Sequence, residues 1–88
     1  MREIDYDKLP KSLRGGIKRY IESGIRPGSF LTAVIQNDLT ESFARADENN
    51  IRRMFDIVKW LYNEAPRNCW GSRKAMESWV LSFNDERK

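Results

Sequence analysis

Histidine is absent from this 88-residue chain, and cysteine occurs once. Without histidine the usual general base near neutral pH and the commonest metal ligand are both missing. A lone cysteine makes no internal disulfide, which fits a reducing compartment, and cannot complete a zinc site of the Cys/His type. Long apolar runs are lacking too: none approaches the roughly 20 residues that cross a bilayer. Met1-Arg2-Glu3-Ile4-Asp5 leads into no apolar signal core, so the expectation is a cytosolic protein with no membrane partner. No repeat, linker or low-complexity segment divides the chain, and no strand-like alternation competes with helical spacing. Nothing in it calls for a cofactor.

What is present suits one folded domain over 1–88: 40% hydrophobic and 33% charged residues. A chain of this size buries roughly 60–65% of the surface that its unfolded form exposes. Sixteen basic against thirteen acidic residues leave a net charge of +3. The excess is concentrated early, where Lys8, Lys11, Arg14, Lys18, Arg19 and Arg26 face only Glu22 between positions 8 and 26.

Three prolines and five glycines punctuate the rest. Pro10 suits a first helical turn, and Leu13, Ile17, Tyr20 and Ile21 recur at helical spacing until Gly24, a natural C-cap. Gly15-Gly16 predicts either a weak turn or a close backbone approach inside that helix. After the Arg26-Pro27-Gly28 turn, Ser29 is expected to cap a short helix with Phe30, Leu31, Val34 and Ile35 inward and Ser29, Thr32, Ala33 and Gln36 outward. Asp38 and Glu41 have capping-box spacing and open a third helix, with Leu39 and Phe43 expected inward. Asp47 caps the longest periodic run, where Ile51, Met54, Phe55, Val58, Leu61 and Tyr62 read as one apolar face that Ile57 and Trp60 widen. Pro66 stops that run, and Ser72 caps a last helix with Met76, Trp79, Val80 and Phe83 on one face. The expected fold is therefore all-α: a compact bundle of four to five short helices around a central helix at about 48–64. About eight N-terminal and five C-terminal residues are expected to fray.

No constellation of reactive groups emerges. Cys69 is the one nucleophile of interest, and Arg67 with the helix start at Ser72 would lower its pKa somewhat, but no histidine activates it. A cysteine beside a tryptophan reads more simply as a small buried hydrophobe. Asp38, Glu41, Asp47, Glu48 and Asp56 lack metal-loop spacing and read as caps and solvated faces. No catalytic or metal-binding residue is assigned, and the chain is not expected to be an enzyme.

Two surfaces compete for a binding role. Lys8, Lys11, Arg14, Lys18 and Arg19 form a basic stripe of the kind that contacts phosphates, although the second helix carries no arginine or lysine to anchor a groove. Ten aromatic residues are many for a core this small, and surplus rings suit a protein interface. Trp60, off the main stripe, and Trp70, in the turn, are the candidates, although core filling is the favoured reading for each alone; a homodimer is an equally simple use for them.

The wording itself is familiar. "RYIESGIRPGSFLTAVIQNDLTESFARADENN" and "WLYNEAPRNCWGS" resemble a group of small proteins encoded in tailed-phage and prophage genomes, from about Leu13 to Ser72. Residues matching the shared wording are Pro27, Gly28, Phe30, Leu31, Asn37, Asp38, Leu39, Arg45, Asp47, Asn63, Cys69, Trp70 and Gly71. The resemblance brings no activity and no catalytic residue. It implies a phage accessory protein working in the bacterial host cytosol on a host or phage protein, with inhibition of a host defence or regulatory factor as one outcome. On that basis Asn37, Asp38 and Arg45 join Trp60 and Trp70 as expected partner-binding residues. Nucleic-acid binding through the basic helix is the alternative.

Overall fold

The cap and breaker signals become helix boundaries in the computed structural model, which describes residues 3–86, with side chains through Phe83. Pro10 precedes α1 (Lys11–Ser23), and Gly24 ends it in the left-handed conformation at φ 67°, its N–H reaching the Arg19 and Tyr20 carbonyls. Gly15-Gly16 does not break α1. A Cβ at Gly15 would meet the Arg19 guanidinium of the same helix at 3.1 Å, whereas one at Gly16 would stand 3.4 Å from Leu31, so Gly16 serves close approach of the next helix.

That helix, α2 (Ser29–Ile35), starts one residue earlier than expected. Gly28 is its N-cap and makes no side-chain cap bond, while the Thr32 hydroxyl donates to the Pro27 carbonyl at 3.2 Å. Ala33, expected outward, is buried. The reason is the next turn: Asn37 sits at φ 61°, and the Asp38 N–H returns to the Ala33 carbonyl at 2.9 Å, folding α3 (Leu39–Arg45) back onto α2.

Asp38 caps α3 as expected, accepting the Glu41 N–H at 3.1 Å. The inward face is another matter: Leu39 and Phe43 are 68% and 44% exposed. Ser42 is the buried residue of α3, and its hydroxyl donates to the Asp38 carbonyl at 2.6 Å. A small side chain at the contact leaves the two large ones outside it.

The run expected as one helix over 48–64 divides at Arg53 (φ −101°, ψ 6°) into α4 (Glu48–Arg52) and α5 (Met54–Glu64). Asp47 caps α4 by accepting the Asn50 N–H at 2.8 Å. This division raises the count to six α-helices, with no strand, among the described residues. Ser72 caps α6 (Arg73–Glu86), accepting the Ala75 N–H at 3.0 Å.

Helical turns are present within both end segments where fraying is expected. Asp5 caps a 3-10 turn at Tyr6–Lys8, and Arg14 secures it, donating to the Leu9 carbonyl at 3.0 Å and the Asp7 carbonyl at 2.8 Å. At the other end α6 continues to Glu86, while Met1, Arg2, Arg87 and Lys88 lie outside the described residues.

One apolar cluster joins α1, α2, α5, α6 and the corner at 66–71, centred on Ile17, Ile35, Ile57, Leu61 and Met76. Arg26 ties the α1–α2 turn to α6 through Glu77 at 2.7 Å, and that guanidinium holds the Glu77 carboxyl below its ordinary range. Helix α6 also packs directly on the left-handed cap, since a Cβ at Gly24 would lie 2.5 Å from the Phe83 ring. Gly24→Ala should therefore cost roughly 2–4 kcal/mol, from left-handed backbone strain plus displacement of Phe83. Gly28→Ala, which meets nothing within 4 Å and loses only an N-cap preference, should cost about 1 kcal/mol or less, and urea unfolding of both variants checks the contrast.

Candidate protein-binding surface

The corner Pro66-Arg67-Asn68-Cys69-Trp70-Gly71 is built as structure. Pro66 leads into a 3-10 turn at Arg67–Cys69, and the Cys69 side chain is fully buried at 0% exposure. Its carbonyl accepts the buried Tyr20 hydroxyl at 2.7 Å, and the Gly71 N–H donates to the Ile35 carbonyl at 2.8 Å, with Gly71 at φ 108°. Burial pushes the Cys69 thiol up to about 12. A thiol that is neutral and enclosed has no nucleophilic role at neutral pH.

The expected partner residues separate. Trp60 is buried at 3% exposure: its indole N–H donates to the Asp5 carbonyl at 2.7 Å and its ring lies 5.7 Å from Tyr6. Its expected place on a partner surface is thus corrected. Trp70 is half-buried and lines a groove of about 560 Å³ with Tyr62, Ala65, Arg67 and Gly71. Asn37 and Asp38 form the left-handed corner and the cap already described, and Arg45 pairs with Glu41 at 3.1 Å along α3.

The basic stripe is likewise spread over different tasks. Arg14 holds the N-terminal turn, Lys8 reaches Glu64 at 3.9 Å, Lys18 lies 6.0 Å from the Tyr6 ring centroid, and the Arg19 guanidinium folds across Gly15. Arg14 and Lys18 share a groove with Glu3, Asp5 and Asp7, and Lys8 shares one with Lys59, Asp56 and Glu64, whereas Lys11 lines a groove with Arg52, Arg53, Asn49 and Asn50 and no acidic residue. Among the described residues no cluster of three or more His, Cys, Asp or Glu could hold a metal ion, and no helix is long and apolar enough to cross a membrane.

What emerges instead is on α5. Met54, Ile57, Trp60 and Leu61 are buried, yet Phe55 and Tyr62 are 75% and 80% exposed and Val58 is half-exposed. By the helical advance of about 100° per residue, Trp60 stands roughly 170° from the centre of the Phe55–Val58–Tyr62 stripe. Helix α5 thus carries two apolar faces, one committed to the core and one to solvent. The single apolar face expected from periodicity is corrected accordingly. Phe55, Val58, Lys59, Tyr62 and Asn63 line a largely apolar groove of about 400 Å³, and Tyr62 also borders the Trp70 groove. The exposed stripe was visible in the spacing 55, 58, 62, but it was assigned to the core.

Comparison with known proteins adds nothing to this geometry: no protein-family model, no curated protein and no solved structure matches the chain. The surface defines at most a class, a small helical domain with an unpartnered aromatic face.

Burial of Cys69 makes two measurable statements. An aromatic disulfide reagent should reach it only when the protein opens, so at fixed pH its labelling should be far slower than that of an exposed thiol and should climb with urea. The fold keeps the neutral thiol, whereas the unfolded chain releases its proton near the ordinary value of 9.0. Stability should hold below that pH and fall as pH rises from it toward 12, and Cys69→Ala should flatten the onset of the fall.

Proposed function

We propose that this chain is a non-enzymatic binding module that works by laying the outer face of α5 on another protein, with Leu39 and Phe43 of α3 as a second apolar patch. The exposure of Phe55 and Tyr62 carries the reading. Two aromatic rings left in water beside a completed core are a standing cost that association would relieve, and aromatic anchors dominate the energy of protein interfaces. In the phage-type context that the sequence wording implies, the partner is a host or phage protein in the bacterial cytosol. The module would act by covering a surface of that partner, with inhibition of a defence or regulatory factor as one outcome.

The test is affinity capture from the bacterial host with the parent chain, Phe55→Ser/Tyr62→Ser and Leu39→Ser/Phe43→Ser. Loss of two interface anchors should weaken capture roughly a hundredfold, and the variant that loses it names the face. Capture indifferent to both double variants would end this reading.

A second reading rests on the groove of about 400 Å³ that Lys11, Arg52 and Arg53 line. Three cations there suit contact with a nucleic-acid backbone, which positions a strand without reading its bases. It predicts retardation of an oligonucleotide at low salt that disappears in Lys11→Glu/Arg52→Glu; no retardation at low salt would remove it.

A further inference from the structure

We infer that residues 3–8 form an autoinhibitory strap over the basic stripe of α1, and that swinging it aside about Leu9-Pro10 frees Arg14 and Lys18 for a nucleic-acid backbone. This rests on the reading of the Lys11 groove as a phosphate-contacting surface and extends that surface along the helix. Lys11, Arg14 and Lys18 lie within about 60° of one another around α1 and span roughly 10 Å along it. A strand that meets Lys11 is thereby led toward Arg14 and Lys18. Glu22 stands on the same face one turn beyond Lys18 and ends the stripe.

The strap has the chemistry of a polyanion. Between positions 3 and 7 it carries Glu3, Asp5 and Asp7 and no cation. These three acids line a groove of about 630 Å³ with Arg14 and Lys18, whereas the Lys11 groove is lined by no acid. Among the described residues none of the three makes an ion pair with either cation: Arg14 donates to the main-chain carbonyls of Leu9 and Asp7, and Lys18 lies beside the Tyr6 ring. Carboxylates set within a screening length of cations that they do not pair with lower the local potential and repel phosphates. The stripe is thus masked where the strap lies and open at Lys11.

The strap is also held in a way that lets it leave. Fixed packing begins at Leu9, 2% exposed and part of the core, while no residue of the strap is fully buried. Leu9 (φ −82°, ψ 153°) and Pro10 (φ −52°, ψ 136°) are both extended, and Pro10 has no N–H to bond. Apart from the Trp60 indole bond to the Asp5 carbonyl, the hydrogen bonds that hold the strap down reach water: the Asp5 N–H on Glu64 at 3.3 Å, the Tyr6 hydroxyl on Glu22 at 3.0 Å and Arg14 on the Asp7 carbonyl at 2.8 Å. A segment held by so few buried contacts opens below the cost of global unfolding. Arg14 bonds both sides of the hinge, so a phosphate that engages it also loosens the latch.

The test is fluorescence anisotropy of a dye-labelled oligothymidylate of about 20 nucleotides at about 50 mM salt. Glu3→Gln/Asp5→Asn/Asp7→Asn should bind it roughly tenfold more tightly than the parent, and two added phosphate contacts should steepen the salt dependence by about 1.4 in log K per log salt. Glu3→Gln/Asp7→Asn, which spares the Asp5 cap, should show the same change in smaller measure. Arg14→Gln/Lys18→Gln in the neutral-strap background should remove the gain. Glu41→Gln/Glu48→Gln/Asp56→Asn, which alters net charge equally but away from the strap, should gain less than about threefold. In the parent, saturating oligonucleotide should speed hydrogen exchange of the Trp60 indole N–H several-fold without speeding that of the Ile57 and Leu61 amides. No gain on neutralising the strap, a gain that survives loss of Arg14 and Lys18, an equal gain from the remote acids, or an indole N–H that exchanges no faster would each overturn the strap. If Lys11→Glu/Arg52→Glu abolishes parent binding while the strap variants change nothing, the Lys11 reading stands and the strap alone falls; if neither the parent nor the neutral strap binds, both fall.

Discussion

The rotation of α5 about its own axis is decided by Trp60. Its indole cannot be enclosed without an acceptor, and the Asp5 carbonyl supplies one at 2.7 Å while the Tyr6 ring covers the same side chain. Enclosing a ring of this size is worth several kcal/mol, roughly 4–6 by area, and the hydrogen bond fixes its direction. With Trp60 inward, Ile57, Leu61 and Met54 follow, and Phe55, Val58 and Tyr62 must face outward. The same bond explains why the N-terminal arm is ordered: Asp5, Tyr6 and the turn held by Arg14 are the lid on Trp60.

A second constraint closes the opposite side of the molecule. Tyr20 is buried with its hydroxyl on the Cys69 carbonyl, and Gly71 joins the corner to the end of α2. The Tyr20 backbone carbonyl in turn accepts the Trp79 indole N–H at 3.1 Å, so α1, the corner and α6 share one residue. Burial raises the Tyr20 phenol above its ordinary value, as it does the Cys69 thiol, and both groups favour the fold only while neutral. Chemistry that looked available at Cys69 is thereby used up in packing.

Boundaries were legible in the sequence because caps are local chemistry. Asp38, Asp47 and Ser72 accept from N–H groups three residues on, and Gly24 takes a backbone conformation that other residues resist. The division at Arg53 was not legible, since nothing in Ile51-Arg52-Arg53-Met54 interrupts helical spacing. Faces were legible only where one face is apolar. On α1 the periodic residues are all buried, and on α6 Met76 and Val80 are buried while Trp79 and Phe83 are half-buried. On α5 two apolar stripes overlap, and the choice between them depends on a carbonyl 55 residues away in sequence, at Asp5. For the same reason Phe55 reads from spacing as a core residue, while Trp60, off the main stripe, reads as core with a partner surface as its alternative. On α3 the surprise has a smaller cause, a serine at the point of contact.

The account's central claim is that the core is complete without the outer stripe of α5. Urea unfolding of Phe55→Ser/Tyr62→Ser tests it most directly. The account predicts a stability within about 0.5 kcal/mol of the parent, as for ordinary surface substitutions. A loss of about 3 kcal/mol or more, the cost of removing packed aromatic rings, would mean that those rings belong to the core and that no face stands open.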